Sequence, residues 1–163
     1  RGSAPLYLFS EASQLNSLHN RHGIEDCAGI PPATQAESVE LLTVDDFCAS
    51  HDLQGVDFMK VDVEGHEVDV LHGSVRSLAS GSVKRVQFEY GGTYIDSRRL
   101  LKDAFHVFSG LDYTLFRIVR GGLVACPRYD QRLENFQYSN FVALRGDTIS
   151  HTPSALKALQ RLR

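Results

Sequence analysis

A chain of 163 residues with 42% hydrophobic and 23% charged residues has the composition of a single folded domain, which excludes an intrinsically disordered segment. A formal net charge of −3, with acids and bases spread along the chain, leaves no electrostatic footprint for nucleic acid. No apolar run approaches the roughly eighteen residues of a membrane-spanning helix, no secretory h-region opens the chain, and Cys27, Cys48 and Cys126 have neither disulfide-framework nor zinc-cage spacing, so a reduced, cytoplasmic setting is expected.

Ala4 to Phe9 reads as a short strand. Residues 11–36 are polar, are broken by Gly23, Gly29 and Pro31-Pro32, and are expected to form loop. Ser38 to Val44 suits a second strand. In TVDDF, Thr43 and Asp46 have capping-box spacing with an acid in the usual Glu position, which predicts a short amphipathic helix from Val44 to about His51. Val56 to Val63 reads as a strand. After Gly65, the residues Val68, Leu71, Val75 and Leu78 recur at helical spacing and predict one helix running to about Ser80, stopped by Gly81. Lys84 to Tyr90 forms a strand with Val86, Phe88 and Tyr90 on one side, and Leu100, Leu101, Ala104, Phe105 and Phe108 make the apolar stripe of a further helix ending near Gly110.

Beyond it, Tyr113 to Arg120 alternates as a strand, Gly121-Gly122 turns into Leu123 to Ala125, residues 126–138 are irregular, and Ser139 to Arg145 is a last strand. Thr152-Pro153 opens a C-terminal helix. Strands alternating with helices predict an α/β structure with a parallel core, and the helix-free strands near the end predict an antiparallel edge hairpin. The expected division is one domain over residues 1–150 and a tail helix over 151–163, whose Lys157, Arg161 and Arg163 are read as solvated.

The stretch FMKVDVEGHEVDVLHG carries the chemistry. Period-2 alternation places Lys60, Asp62 and Glu64 on one face of the strand and Met59, Val61 and Val63 on the other. Desolvating a carboxylate is costly, so acids in a sheet call for partners or a task. In open α/β sheets, ligands bind beyond the carboxyl ends of the strands, where Asp62, Glu64 and Gly65 fall. Glu89, at the end of the next strand, should converge with them if the two strands pair. The structural reading is that Glu67 reaches back to free N–H groups of the first helical turn while Lys60 pairs with a nearby carboxylate. His19 and His22, three residues apart with no third ligand beside them, are read as surface-loop residues and not as a metal site.

These motifs together resemble the C-terminal half of the FkbM family of S-adenosylmethionine-dependent methyltransferases. Lys60, Asp62, Glu64, Gly65 and Glu67 match its Lys-x-Asp-x-Glu-Gly-x-Glu segment, with Val70, Leu71 and Gly73 following. Thr43, Asp45, Asp46 and Phe47 match the lead before it, Glu89 the acid-ended strand after it, and Asn140, Phe141 and Ala143 the Asn-Phe-x-Ala strand near the end. The resemblance implies the later part of a Rossmann-like methyltransferase sheet and methyl transfer to a hydroxyl of a sugar or similar small natural product. It assigns Asp62, Glu64 and Glu89 to catalysis, with Asp62 and Gly65 nearest the cofactor. His66 and Tyr90 are assigned to acceptor binding, and no metal is assigned.

The chain departs from that pattern in one respect. No glycine-rich loop follows a strand, since Gly91-Gly92 and Gly121-Gly122 are too short. With Arg1 in place of an initiator Met, this is read as the mark of an incomplete chain, expected by itself to bind S-adenosylmethionine weakly or not at all. The strand through Val61 would then expose an apolar edge, through which self-association is expected. Two other readings are kept: a divalent cation held by the acids for phosphoester chemistry, and a noncatalytic remnant acting by association.

Overall fold

The computed structural model describes residues 2–9, 13, 15–21, 29 and 31–162, so Arg1, His22, Cys27 and Arg163 lie outside the described residues. β1 (Gly2–Leu8) and β2 (Gln35–Leu41) pair antiparallel as a separate two-stranded ribbon. The main sheet contains β3 (Met59–Val61), β4 (Arg85–Tyr90), β5 (Tyr113–Val119), β6 (Gly122–Cys126) and β7 (Ser139–Arg145), in the order β3-β4-β7-β5-β6.

Among the described strands of this sheet, only β3 and β4 pair parallel; the other three pairings are antiparallel. The parallel core expected from the alternation of strands and helices is therefore reduced to one pair. The cause is β7, which arrives without a crossover helix and inserts between β4 and β5, antiparallel to both. The antiparallel hairpin at the edge is present as β5–β6. β3, the strand whose edge was expected to be exposed, is an edge strand among the described residues, and it is shorter than its apolar run. It ends early because the Val63 N–H donates to the Glu67 carboxylate and not to the strand ladder.

Alternation along β4 buries Val86, Phe88 and Tyr90 against one helical layer. That layer comprises α2 (Glu67–His72), α3 (Val75–Ala79) and α5 (Leu101–Phe108), which contribute Val68, Leu71, Leu78, Leu101, Phe105 and Phe108. Phe116, Val142 and Leu144 face the other way and pack on Ala155 and Ala158 of α7 (Pro153–Gln160). The C-terminal helix is therefore half-docked on the sheet by its small residues, while Lys157 on it and Arg161 just past its end are exposed. Two short helices, α4 (Thr93–Asp96) and α6 (Gly146–Ile149), were not legible in the sequence pattern. Cys48 and Cys126 are free thiols. No helix among the described residues is long and apolar enough to cross a membrane.

The single helix predicted from Gly65 to Ser80 is instead α2 and α3, and Asp45 explains the break. It sits in α1 (Val44–Ser50), which Thr43 caps by accepting a hydrogen bond from the Asp46 N–H at 3.0 Å. The Asp45 N–H occupies the Gly73 carbonyl at 2.9 Å, while its carboxylate accepts from the N–H groups of Arg76 at 2.8 Å and Ser77 at 2.9 Å. The Gly73-to-Ser77 bond of a continuous helix is thereby replaced at both ends. Burial pushes the Asp45 carboxyl up, but the Ser77 hydroxyl and the backbone N–H groups outweigh it and hold the pKa below the ordinary value. Its contribution is therefore present above the unfolded-state pKa and lost as the pH falls through the lowered one. Asp45→Ala is expected to cost about 2 kcal/mol at neutral pH, measurable by denaturant titration, and less near pH 3.

Candidate functional site

Past Val61 the chain turns sharply into α2. Glu64 adopts a left-handed backbone conformation at φ 51° and Gly65 follows at φ 101°. The turn is held from below by Glu67, which is 1% exposed. Its carboxylate accepts from the Val63 N–H at 3.1 Å and from the Gly65 N–H at 3.1 and 3.3 Å, so the acid satisfies two donors that the turn removes from the sheet. Burial raises its pKa, against the pull of those N–H groups. The role is structural, as expected for Glu67, but the N–H groups it binds precede the helix and do not belong to its first turn. Gly65 is also required sterically, because a Cβ there would lie 2.8 Å from the Thr93 carbonyl oxygen. Gly65→Ala is expected to lower stability by at least about 2 kcal/mol, measurable as a fall in melting temperature.

Above the turn, the parallel register that sets Val61 opposite Phe88 brings Asp62 beside Glu89. The carboxylate oxygens of Asp62, Glu64 and Glu89 lie within 4.8 Å of one another, in a crevice of about 540 Å³ bordered also by Asn16 and Lys60. Lys60 donates to Asp62 at 2.5 Å on the exposed side. Burial pushes the Glu64 pKa up, with Asp62 adding to the shift and Arg21 opposing it. Glu89 is raised as well, by burial and then by the charges of Asp62 and Glu64.

The other two assigned residues fall elsewhere. Tyr90 is 1% exposed, and its hydroxyl donates to Glu134 at 3.1 Å and accepts from the Phe136 N–H at 2.9 Å. Strand alternation that aims Glu89 at the crevice aims Tyr90 into the core, so the acceptor-binding reading of Tyr90 is corrected to a packing role. His66 turns to the far side of the loop, towards His19 and Asp69. His19, expected on an open surface loop, is half-buried there. Burial first and the neighbouring His66 second lower its pKa.

Arg21 was not singled out by the sequence, yet it is 8% exposed and donates to Glu64 at 3.3 Å, with Asp96 3.7 Å from its Nε. Ser17, 1% exposed, donates to the Glu64 carbonyl at 2.7 Å and fixes the same turn. Both lie in the polar segment 11–36, where no spacing distinguishes a buried side chain from a solvated one.

A family model described as the methyltransferase FkbM domain matches residues 7–126, well over half of the chain and inclusive of every acid in the crevice. The chain belongs to the FkbM methyltransferase family. Comparison with curated proteins and with solved structures gives no match.

Proposed function

We propose that this chain supplies the acceptor side of an S-adenosylmethionine-dependent O-methyltransferase acting on a hydroxyl of a sugar or a similar small natural product. The observation that carries the proposal is the convergence of three carboxylates, two of them with raised pKa values, beyond the parallel ends of β3 and β4. We read that parallel pair as part of a Rossmann-like sheet. S-adenosylmethionine, when bound, supplies an electrophilic methyl group on a sulfonium. We assign the crevice residues to the acceptor; Asp62 and Gly65, at the turn, are the residues nearest the cofactor, and among the described residues no glycine-rich loop follows a strand. The chemistry assigned to these side chains is therefore confined to the hydroxyl.

A hydroxyl that gains a methyl group must lose its proton as the new bond forms, and a carboxylate within hydrogen-bond reach can accept it. Basicity rises with pKa, so Glu64 and Glu89 are the stronger candidates for the base. Asp62, exposed and paired with Lys60, is suited to orienting the acceptor. Arg21 restrains Glu64 from the buried side, which limits the ways the carboxylate can turn.

The same convergence also suits a divalent cation bound by oxygen ligands, the second reading. Transfer of labelled methyl from S-adenosylmethionine to acceptor oxygen, assayed with the full-length protein in EDTA and again with Mg²⁺, separates the two. Equal transfer in both is the expected result. Transfer, or hydrolysis of a phosphoester, that requires Mg²⁺ would favour the cation reading.

A further inference from the structure

On the opposite side of the turn from the acids, His19, His66 and Asp69 form a second cluster whose ligating atoms lie within 4.8 Å of one another. We propose that these three residues bind a first-row transition metal ion, Zn²⁺ by preference, in a site distinct from the acid crevice and independent of the methyltransferase reading.

The geometry argues for an ion over a simple imidazole pair. His66 Nδ1 lies 3.4 Å from His19 Nε2, long for a hydrogen bond, and 3.6 Å from Asp69 Oδ2. Zinc–nitrogen bonds of about 2.0–2.1 Å place tetrahedral neighbours about 3.4 Å apart, which matches these separations. Two imidazoles and one carboxylate also form the donor set that zinc uses when it retains an open position.

The surrounding contacts hold the donors in place. Arg99 binds Asp69 Oδ1 at 2.5 Å, leaving Oδ2 turned towards His66, the pattern of an outer partner orienting a one-oxygen ligand. His19 is held by its own backbone: its N–H donates to the Ser17 hydroxyl at 3.1 Å, and that hydroxyl donates to the Glu64 carbonyl at 2.7 Å. His66 and Asp69 border a cleft of about 570 Å³ walled by Leu6, Leu18, Leu41 and Val70. The remaining coordination position can be filled by water or by an oxygen of a cleft-bound molecule.

The test is calorimetric titration of the tag-free protein with Zn²⁺ alone, followed by Co²⁺ absorption spectroscopy. One equivalent is expected to bind, with visible ligand-field bands that Zn²⁺ displaces. His19→Ala and His66→Ala should each weaken binding by at least about 100-fold, and Arg99→Gln by about 10-fold. His19→Asn and His66→Gln, whose folding is checked by circular dichroism, should repeat the loss without large packing changes. The Asp62→Asn, Glu64→Gln pair should bind as the unaltered protein does. Absence of binding below millimolar Zn²⁺ overturns the site, as does binding that survives the loss of either histidine or that disappears with the crevice acids.

Discussion

Glu64→Gln and Glu89→Gln are each expected to lower the kcat of methyl transfer by about 10²–10⁴-fold in the full-length protein, the range associated with removing a general base. Glutamine keeps the size and one acceptor oxygen of the carboxylate but cannot take a proton. Both residues are partly buried, and burial raises both pKa values, so a proton passed to either is held more firmly than by an exposed acid. Asp62→Asn should cost less, about 10-fold, because Asp62 is exposed and already paired with Lys60. Folding is expected to survive Glu64→Gln, since Arg21 retains Asp96 within 3.7 Å and the Ser17 hydroxyl binds the Glu64 carbonyl, not its side chain. Melting temperatures within a few degrees of the unaltered protein would show that the lost rate is chemical. If instead both variants transfer methyl at the unaltered rate, neither acid is the base.

The second large effect is on stability. Glu67→Ala is expected to destabilise the protein by about 3 kcal/mol, a fall of roughly 6–12 °C in melting temperature, because it strands the buried N–H groups of Val63 and Gly65. Glu67→Gln retains an acceptor oxygen and should cost far less at neutral pH. The sign of the pH dependence follows from the raised pKa. Stability from Glu67 is fullest below its unfolded pKa and declines as the pH rises through the folded one. Glu67→Gln should remove that decline, so its deficit relative to the unaltered protein should shrink as pH rises. A Glu67→Ala protein with an unchanged melting temperature would refute the role given to this residue in building the turn.

Much of the site was legible because it depends on local rules. Parallel pairing sufficed to set Asp62 beside Glu89, while Glu64 joins them through its left-handed turn beyond the strand, and an acid at the helix start sufficed to give Glu67 a structural role. Strand alternation, applied one residue past Glu89, should have turned Tyr90 into the core. The helix break at Gly73 was hidden because its cause, Asp45, lies far away in sequence and acts through backbone groups that apolar spacing does not represent. The antiparallel majority of the sheet was hidden for a related reason: β7 looks like any edge strand until its two neighbours are known. Arg21 and His19 belong to a polar segment whose order depends on single contacts, Arg21 with Glu64 and Ser17 with the Glu64 carbonyl, and not on periodicity.

The pH dependence of methyl transfer tests the central claim most directly, measured as kcat/KM from pH 4 to 9 for the unaltered protein and for the Glu64→Gln, Glu89→Gln double variant. If the crevice acids take the hydroxyl proton, the unaltered protein loses activity on acidification with a midpoint above 4.5, the ordinary glutamate value, because burial raises both groups, against the pull of Arg21 at Glu64 and with the charges of Asp62 and Glu64 adding to it at Glu89. The double variant should be slow throughout and lack that limb. A double variant that retains both the rate and the acid limb would contradict the assignment of the base to these acids.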